Sequence, residues 1–317
     1  MGNCEILLEN CYSFFRRAVE TQSIDGICAV INNAASCLEQ DFVNALKTPL
    51  KAGYPSGYID LAQAYNAFQT SIQQGKIQTN DNEQARTNFI VQLNNADMST
   101  EYIETLSTTI GEEIKGAFPK ITSKELGILE SCLSGLKSVQ DTLKAVTDFG
   151  LQQLRASAVK PRLHTWIDQF ISQNHEFTDE ELSVYEAGET FIQSLIVQLD
   201  GLLSSFKSAM STRNYDALVS VVAGDGTSRL ERAIKKSTFN RLGGLVLDQE
   251  VRVLGSYLTA ATSWSVRDKM IRLTQIATLL NLEKLTELSD YYNPTQQEDR
   301  TAWRLTPVEV RSLLALR

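Results

Sequence analysis

Apolar residues recur at spacings of three and four along much of this chain, and proline is rare. The clearest stripe consists of Leu126, Leu129, Leu133, Leu136, Val139, Leu143 and Val146. Such spacing places one apolar face along an α-helix. The 317 residues include only six prolines, and a proline inside a helix removes a hydrogen bond and clashes with the preceding turn. The sequence therefore predicts an all-α fold.

Helix starts are marked by a threonine that is followed three residues later by a glutamate. Three such pairs are Thr122 with Glu125, Thr178 with Glu181, and Thr306 with Glu309. In a capping box the two side chains satisfy amide groups that the first helical turn leaves without partners. Pro307 follows Thr306 at the first helical position, where its fixed φ angle suits the helix. We therefore expect Thr306 and Pro307 to open the last helix.

Glycine pairs indicate where the helices are interrupted. The β-branched run at residues 219–223 ends at Gly224-Asp225-Gly226, which predicts a helix end and a turn. A second pair, Gly243-Gly244, follows soon after. Together with a polar stretch before residue 85, these breaks predict three parts. They are an N-terminal helical segment (1–85), a helical bundle (86–235) and a small C-terminal helical domain (236–317).

Charge and hydropathy exclude several classes of partner. The formal net charge is −8, whereas nucleic-acid backbones and anionic membranes attract clustered lysine and arginine. No apolar run reaches the roughly 18 residues needed to cross a bilayer. The cysteines are odd in number and form no C-x-x-C pair, which is typical of free thiols in a reducing cytosol. We expect no nucleic-acid partner and only peripheral association with membranes.

Groups that could support catalysis are scarce. The two histidines, His164 and His175, lack cysteine or carboxylate neighbours at the spacing of a metal site. The sequence contains no G-x-S-x-G nucleophile elbow, and its glycines match neither a phosphate loop nor a dinucleotide loop. We therefore predict no catalytic residues, no metal and no cofactor.

Three stretches resemble a known family. They are residues 236–245 (KSTFNRLGGL), 257–273 (YLTAATSWSVRDKMIRL) and 303–317 (WRLTPVEVRSLLALR). They are similar to the subunit 4 family of the conserved oligomeric Golgi complex, a vesicle-tethering assembly. The resemblance implies an elongated rod of stacked helical bundles that ends in a small C-terminal helical domain. It also implies that the segment 1–85 continues an upstream rod.

The same resemblance implies a function. It predicts a non-enzymatic subunit that acts in retrograde transport within the Golgi and so maintains Golgi glycosylation. Such a subunit is cytoplasmic and lies on the cytosolic face of the Golgi membrane as a peripheral protein. Its partners are the other subunits of the complex, with SNARE and Sec1/Munc18 proteins bound through a family region upstream of the part matched here.

One pair of charged residues follows from the resemblance. In this family an arginine and a glutamate of the last small domain form a structural salt bridge, and the matching positions are Arg272 and Glu309. The residues give a separate argument, because Arg272 precedes Leu273 on a helix that also presents Ile276 and Leu279. A guanidinium there borders buried surface and needs a fixed partner. Alternatively, Arg272 extends to solvent along its stem and Glu309 serves only as a cap.

Two other functional classes stay open at this point. The stripe that begins at Leu126 also suits a helical coiled-coil structural protein unrelated to tethering, although its heptads number only about three. Scattered carboxylates leave room for a helical enzyme, which turnover of a small substrate would reveal.

Overall fold

The computed structural model describes residues 2–55, 79–284 and 303–317, and within these ranges the regular elements are all helical. The α-helices are α1 (Gly2–Glu20), α2 (Ile24–Cys37), α3 (Val43–Lys51), α4 (Thr79–Ala117), α5 (Ser123–Leu154), α6 (Lys160–Asp168), α7 (Asp179–Ala187), α8 (Phe191–Lys207), α9 (Thr212–Ile234), α10 (Arg241–Ala261), α11 (Arg267–Asn281) and α12 (Pro307–Leu314). Two π-helical turns, Leu38–Phe42 and Arg155–Val159, and one 3₁₀ turn, Gln169–Ser172, adjoin them. The predicted all-α class is confirmed for the described residues.

The chain divides into two compact units. An amino-terminal unit comprises residues 1–157 and 209–214, and a carboxy-terminal unit comprises residues 158–208 and 215–317. Helix α4 runs without interruption through the sequence-based boundary between residues 85 and 86. The three-part division at 1–85, 86–235 and 236–317 stays a prediction.

Helix α5 forms the centre of the amino-terminal unit, where it packs against α2, α3 and α4. Five of the seven positions in the predicted apolar stripe are buried, namely Leu129, Leu136, Val139, Leu143 and Val146. The other two, Leu126 and Leu133, are partly exposed. Burial of one stripe per helix removes apolar surface from water, which is the main favourable contribution to folding. The spacing in the sequence therefore located this core correctly.

Two polar side chains of α4 hold the segment 209–214 within the amino-terminal unit. Asn94 donates to the carbonyl oxygen of Ala209 at 2.7 Å and accepts from the amide of Ser211 at 2.8 Å. The hydroxyl of Ser211 donates to Asp97 at 2.9 Å. Asp97 is buried and also lies 3.6 Å from Arg213. These hydrogen bonds satisfy polar groups that would otherwise be buried without partners, which would lower the stability of the fold.

Capping boxes open several helices. Thr122 with Glu125 and Thr178 with Glu181 form the predicted reciprocal hydrogen bonds. Another capping box, Thr190 with Gln193, opens α8 and was not predicted. It follows Gly188, where α7 ends. The apolar positions from 182 to 206 therefore belong to two helices, α7 and α8.

The turn predicted at Gly224–Gly226 was wrong. Helix α9 continues through both glycines to Ile234, and the hydroxyl of Thr227 bonds to the carbonyl oxygen of Ala223 at 2.8 Å. Val222 and Leu230, on either side of the glycines, are only 1% and 2% exposed. Their burial outweighs the loss of helix stability that the glycines cause, which is about 1 kcal/mol for each glycine in a helix interior.

Gly243 and Gly244 lie in the first turn of α10 and do not form a break. Asn240 caps this helix by accepting from the amide of Gly243 at 2.9 Å. A Cβ atom at residue 243 would collide with the backbone carbonyl of His175, and one at residue 244 with the backbone carbonyl of Leu280. Only glycine permits this close approach of three backbone segments.

Replacing these glycines tests the close approach. We expect Gly243→Ala to lower the free energy of unfolding by about 1–3 kcal/mol, since a backbone carbonyl cannot move aside as a side chain can. Gly226→Ala is the matched control, because nothing lies within 4 Å of the position that its added methyl group would take and alanine favours a helix by about 1 kcal/mol. Urea denaturation measures both effects. Equal stability of the two variants would contradict the packing described for α10.

Candidate functional site around Arg272

Arg272 lies on α11 at the edge of the buried face of that helix. Its chain neighbour Leu273 is 1% exposed, and Ile276 and Leu279 are fully buried. The side chain of Arg272 itself is 36% exposed. The guanidinium thus stands at the boundary between the core and solvent, where a fixed ionic partner reduces the cost of partial burial.

Glu309 on α12 is one partner of Arg272. The Nη2 atom of Arg272 lies 2.6 Å from Oε1 of Glu309. The other oxygen of Glu309 accepts from both the amide and the hydroxyl of Thr306, each at 2.8 Å. Thr306 is the N-cap of α12, and Pro307 occupies the first turn. One carboxylate therefore completes a capping box and an ion pair at the same time.

Glu231 on α9 is the second partner, and sequence reasoning missed it. Arg272 donates from Nη2 to Oε1 at 2.7 Å and from Nε to Oε2 at 3.2 Å. This two-point contact is the geometry in which arginine binds carboxylates most strongly. The side chain of Glu231 is only 16% exposed. In the sequence, Glu231 and Lys235 look like an ordinary helix-surface pair, and a partner 41 residues away leaves no local signal.

Arg272 also fixes the segment that leads into α12. Its Nη1 atom donates to the carbonyl oxygen of Arg304 at 3.1 Å. The amide of Arg304 in turn donates to the side chain of Gln275 at 2.9 Å. One turn of α11 therefore holds both the carbonyl and the amide of Arg304. Together with Glu309, this places the start of α12 against α11.

The charges around Arg272 favour one another's ionised forms. Hydrogen bonds from Arg272 and from Thr306 lower the pKa of Glu309 from its ordinary 4.5 to about 2. Burial raises the pKa of Glu231, but the hydrogen bonds from Arg272 and Lys235 outweigh it and hold the pKa below its ordinary value. The hydrogen bonds to Glu231 and Glu309 raise the pKa of the guanidinium. We call this arrangement of Arg272, Glu231 and Glu309 the Arg272 triad.

Comparison with known proteins identifies the family. A family model described as conserved oligomeric Golgi complex subunit 4, C-terminal, matches residues 89–312. The chain belongs to this subunit 4 family. The subunit 4 of Drosophila melanogaster is 67% identical over 302 residues, and that of Homo sapiens is 39% identical over 311 residues. Each match covers 95% of this chain and 39% of the relative, so the chain spans about two fifths of their length.

A solved structure shows the same fold outside the subunit 4 family. It is the crystal structure of the C-terminal domain of the exocyst subunit Sec6p, with a TM-score of 0.57 and 11% sequence identity. The match covers 98% of this chain and 78% of the exocyst chain. The subunit 4 family and this exocyst domain thus share a helical fold.

Both histidines of this subunit 4 chain have surroundings that lower their pKa values. His175 is buried between Phe170 and Phe239, with ring centroids at 4.1 and 5.0 Å. Its Nε2 atom lies 2.9 Å from the carbonyl oxygen of Phe170, and burial lowers its pKa. Burial and the nearby charge of Arg229 lower the pKa of His164.

The described residues contain neither a cluster of metal ligands nor a membrane-spanning helix. Within residues 2–55, 79–284 and 303–317, no three or more His, Cys, Asp or Glu side chains are grouped to hold a metal ion. In the same part of the chain, no helix is both long and apolar enough to cross a membrane.

Double-mutant cycles with uncharged substitutions measure how strongly Arg272 is coupled to each of its two partners. We expect the double-mutant cycle Arg272→Met with Glu231→Gln to give a coupling energy of about 1–2 kcal/mol, since this contact has two hydrogen bonds and little exposure. The cycle with Glu309→Gln should give about 0.5–1 kcal/mol, because that pair is more exposed. Urea denaturation supplies the free energies of unfolding.

The opposite ranking of the two coupling energies would contradict the geometry of the Arg272 triad. A charge exchange is a less direct test here. The double variant Arg272→Glu, Glu309→Arg restores the ion pair between positions 272 and 309. It also places a new glutamate beside Glu231, and the two carboxylates repel each other. We therefore expect that exchange to recover only part of the melting temperature that Arg272→Glu loses.

Acid should weaken the contribution of Glu309 to stability. The folded pKa of about 2 lies below the ordinary 4.5, so the contribution is complete above pH 4.5 and declines as the pH falls toward 2. The difference in unfolding free energy between the wild type and Glu309→Gln should therefore be larger at pH 7 than at pH 3. Glu130→Gln, at an exposed position of α5, is the control. A difference that grows toward pH 3 would exclude this role.

Proposed function

We propose that this chain acts as a non-catalytic helical scaffold within a Golgi vesicle-tethering complex. The observation that carries the proposal is the subunit 4 family match over residues 89–312. The shared fold with an exocyst subunit domain supports a helical architecture suited to protein–protein contacts. In this role the chain supports retrograde transport within the Golgi and so the maintenance of Golgi glycosylation. A coiled-coil protein unrelated to tethering is not favoured, because the family match spans most of the chain.

The partners follow from the same role. We propose the other subunits of the conserved oligomeric Golgi complex as direct partners, on the cytosolic face of the Golgi membrane and with peripheral attachment. SNARE and Sec1/Munc18 proteins would bind through a family region upstream of the matched part. Residues 236–317 would act as a small C-terminal domain that contributes a contact of its own.

The Arg272 triad supports this domain. It joins α9, α11 and the start of α12 through three charged side chains. We propose that Arg272 and Glu309 form a structural salt bridge that holds the last helix in place. Removing Arg272 leaves Glu231 with Lys235 as its remaining ion pair and leaves Glu309 with its capping bonds from Thr306. The loss of stability then includes the cost of these less well paired, partly buried charges.

Glycan maturation in cells tests the proposed function. In cells that lack their own subunit 4, we expect full-length subunit 4 without the region matching residues 236–317 to leave surface glycans immature, as read by lectin binding. Because this deletion removes α10 to α12 and uncovers buried residues of α9, Arg272→Glu provides a milder second variant. Immunoblotting follows the abundance of each protein.

The matched control is Arg267→Glu, an exposed arginine at the start of the same helix α11. It should leave lectin binding unchanged, and co-precipitation of the other subunits should separate loss of assembly from loss of tethering. Normal glycans with an abundant deletion variant would contradict a role for residues 236–317 in tethering.

A further inference from the structure

A small cavity lies between α7, α8 and α10, entirely within the carboxy-terminal unit. Its volume is about 130 Å³, and its wall includes Tyr185, Ile192, Val246, Glu250 and Val253. The volume is close to that of a cavity of about 150 Å³ that admits benzene. It is well below the roughly 300 Å³ at which pockets for larger ligands begin. A single side chain is therefore the size of occupant that the cavity fits.

Glu250 places a carboxylate in the wall of this cavity. The residue is only 7% exposed. Its Oε1 atom accepts from the hydroxyl of Tyr185 at 2.6 Å and from the amide of Ile192 at 3.4 Å. The Tyr185 oxygen in turn accepts from the amide of Phe191 at 3.1 Å. One oxygen of Glu250 is thus committed to the first turn of α8.

The other oxygen of Glu250 has unused capacity. Among the described residues, no donor bonds to Oε2 and no lysine or arginine forms an ion pair with Glu250. An ionised carboxylate offers about four acceptor positions, and a buried charge is costly unless it is paired. Burial accordingly raises the pKa of Glu250, and the hydrogen bonds from Tyr185 and Ile192 offset this only in part. A cation is the group that would complete this environment.

The rest of the wall suits an alkyl chain that carries a positive charge. Ile192, Val246 and Val253 supply aliphatic surface, and Glu186 supplies a second carboxylate. Glu186 is exposed, and among the described residues it too forms no ion pair. Lysine and arginine bury an aliphatic stem while the charged head seeks an anion. An anionic ligand would meet two carboxylates at this place.

Val253 leaves apolar surface at the wall of the cavity. The residue is 46% exposed although it is apolar and lines the cavity. A partner backbone or neighbouring side chain would cover this valine when a basic side chain enters. We propose that the cavity binds a lysine or arginine side chain of a partner protein, with Glu250 as the acceptor of its charge.

Titration of the full chain with small cations tests the chemistry. The probes are n-butylguanidinium and the blocked tripeptide Ala-Lys-Ala, followed through the amide NMR shifts of Ile192 and Gln193. We expect saturable shifts with a dissociation constant on the order of 1 mM for a ligand of this size. Glu250→Gln should raise that constant about tenfold, since the amide oxygen still accepts from Tyr185 but carries no charge.

Two further variants distinguish loss of binding from loss of the fold. Val253→Phe at the cavity wall should block binding while leaving Glu250 intact. Glu180→Gln, on the exposed first turn of α7, should leave the dissociation constants of both probes unchanged. A melting temperature for each variant shows that the fold is retained.

Several outcomes would overturn the proposal. Absence of saturable shifts with either probe would exclude a cation site, and equal affinity in Glu250→Gln would exclude its carboxylate as the acceptor. Stronger shifts with n-butyrate would assign the place to anions at the start of α8. Tighter binding of n-butylguanidinium than of the tripeptide would indicate a site for small free cations and would overturn the protein partner. Tighter binding of the tripeptide is the result expected for a protein partner.

Discussion

Burial of one apolar stripe per helix is the constraint on which the rest of this structure depends. Helices pack against one another mostly through side chains, so each helix must turn one apolar face inward. The stripe on α5 does this in the amino-terminal unit, and Leu273, Ile276 and Leu279 do it on α11. Polar groups then occupy the edges of these faces, and their hydrogen bonds decide which helix ends lie together.

The Arg272 triad shows how polar groups at the edge of a buried helix face fix the orientation of the packed helices. Apolar packing alone would tolerate small rotations of α11 and α12, because dispersion contacts have little directional preference. The guanidinium has a fixed fork of donors, and here it meets Glu231, Glu309 and the carbonyl oxygen of Arg304 at once. Few mutual orientations of the three helices satisfy all of these bonds. The triad thus restricts the orientations in which α9, α11 and the start of α12 can pack.

The sequence predicted the helical class, the stripe on α5 and the start of α12, because these depend on neighbours within a few residues. It failed at Gly224–Gly226, where burial of Val222 and Leu230 carries the helix through two poor helix formers. It also failed at Gly243–Gly244, where glycine serves close approach and not a turn. The contact between Arg272 and Glu231 and the cavity beside Glu250 were not predicted either. Each of them brings together residues that lie far apart in the chain.

Glu309 has a further consequence for how the sequence can diverge. One of its oxygens caps α12 through Thr306, and the other reaches Arg272. Aspartate is one methylene shorter and cannot span both distances, and glutamine keeps the cap but loses the charge. Two unrelated requirements therefore bear on a single, partly exposed position. We expect Glu309 to accept fewer replacements over evolutionary time than its exposed neighbours Val308 and Arg311, although its own contribution to the apolar core is negligible.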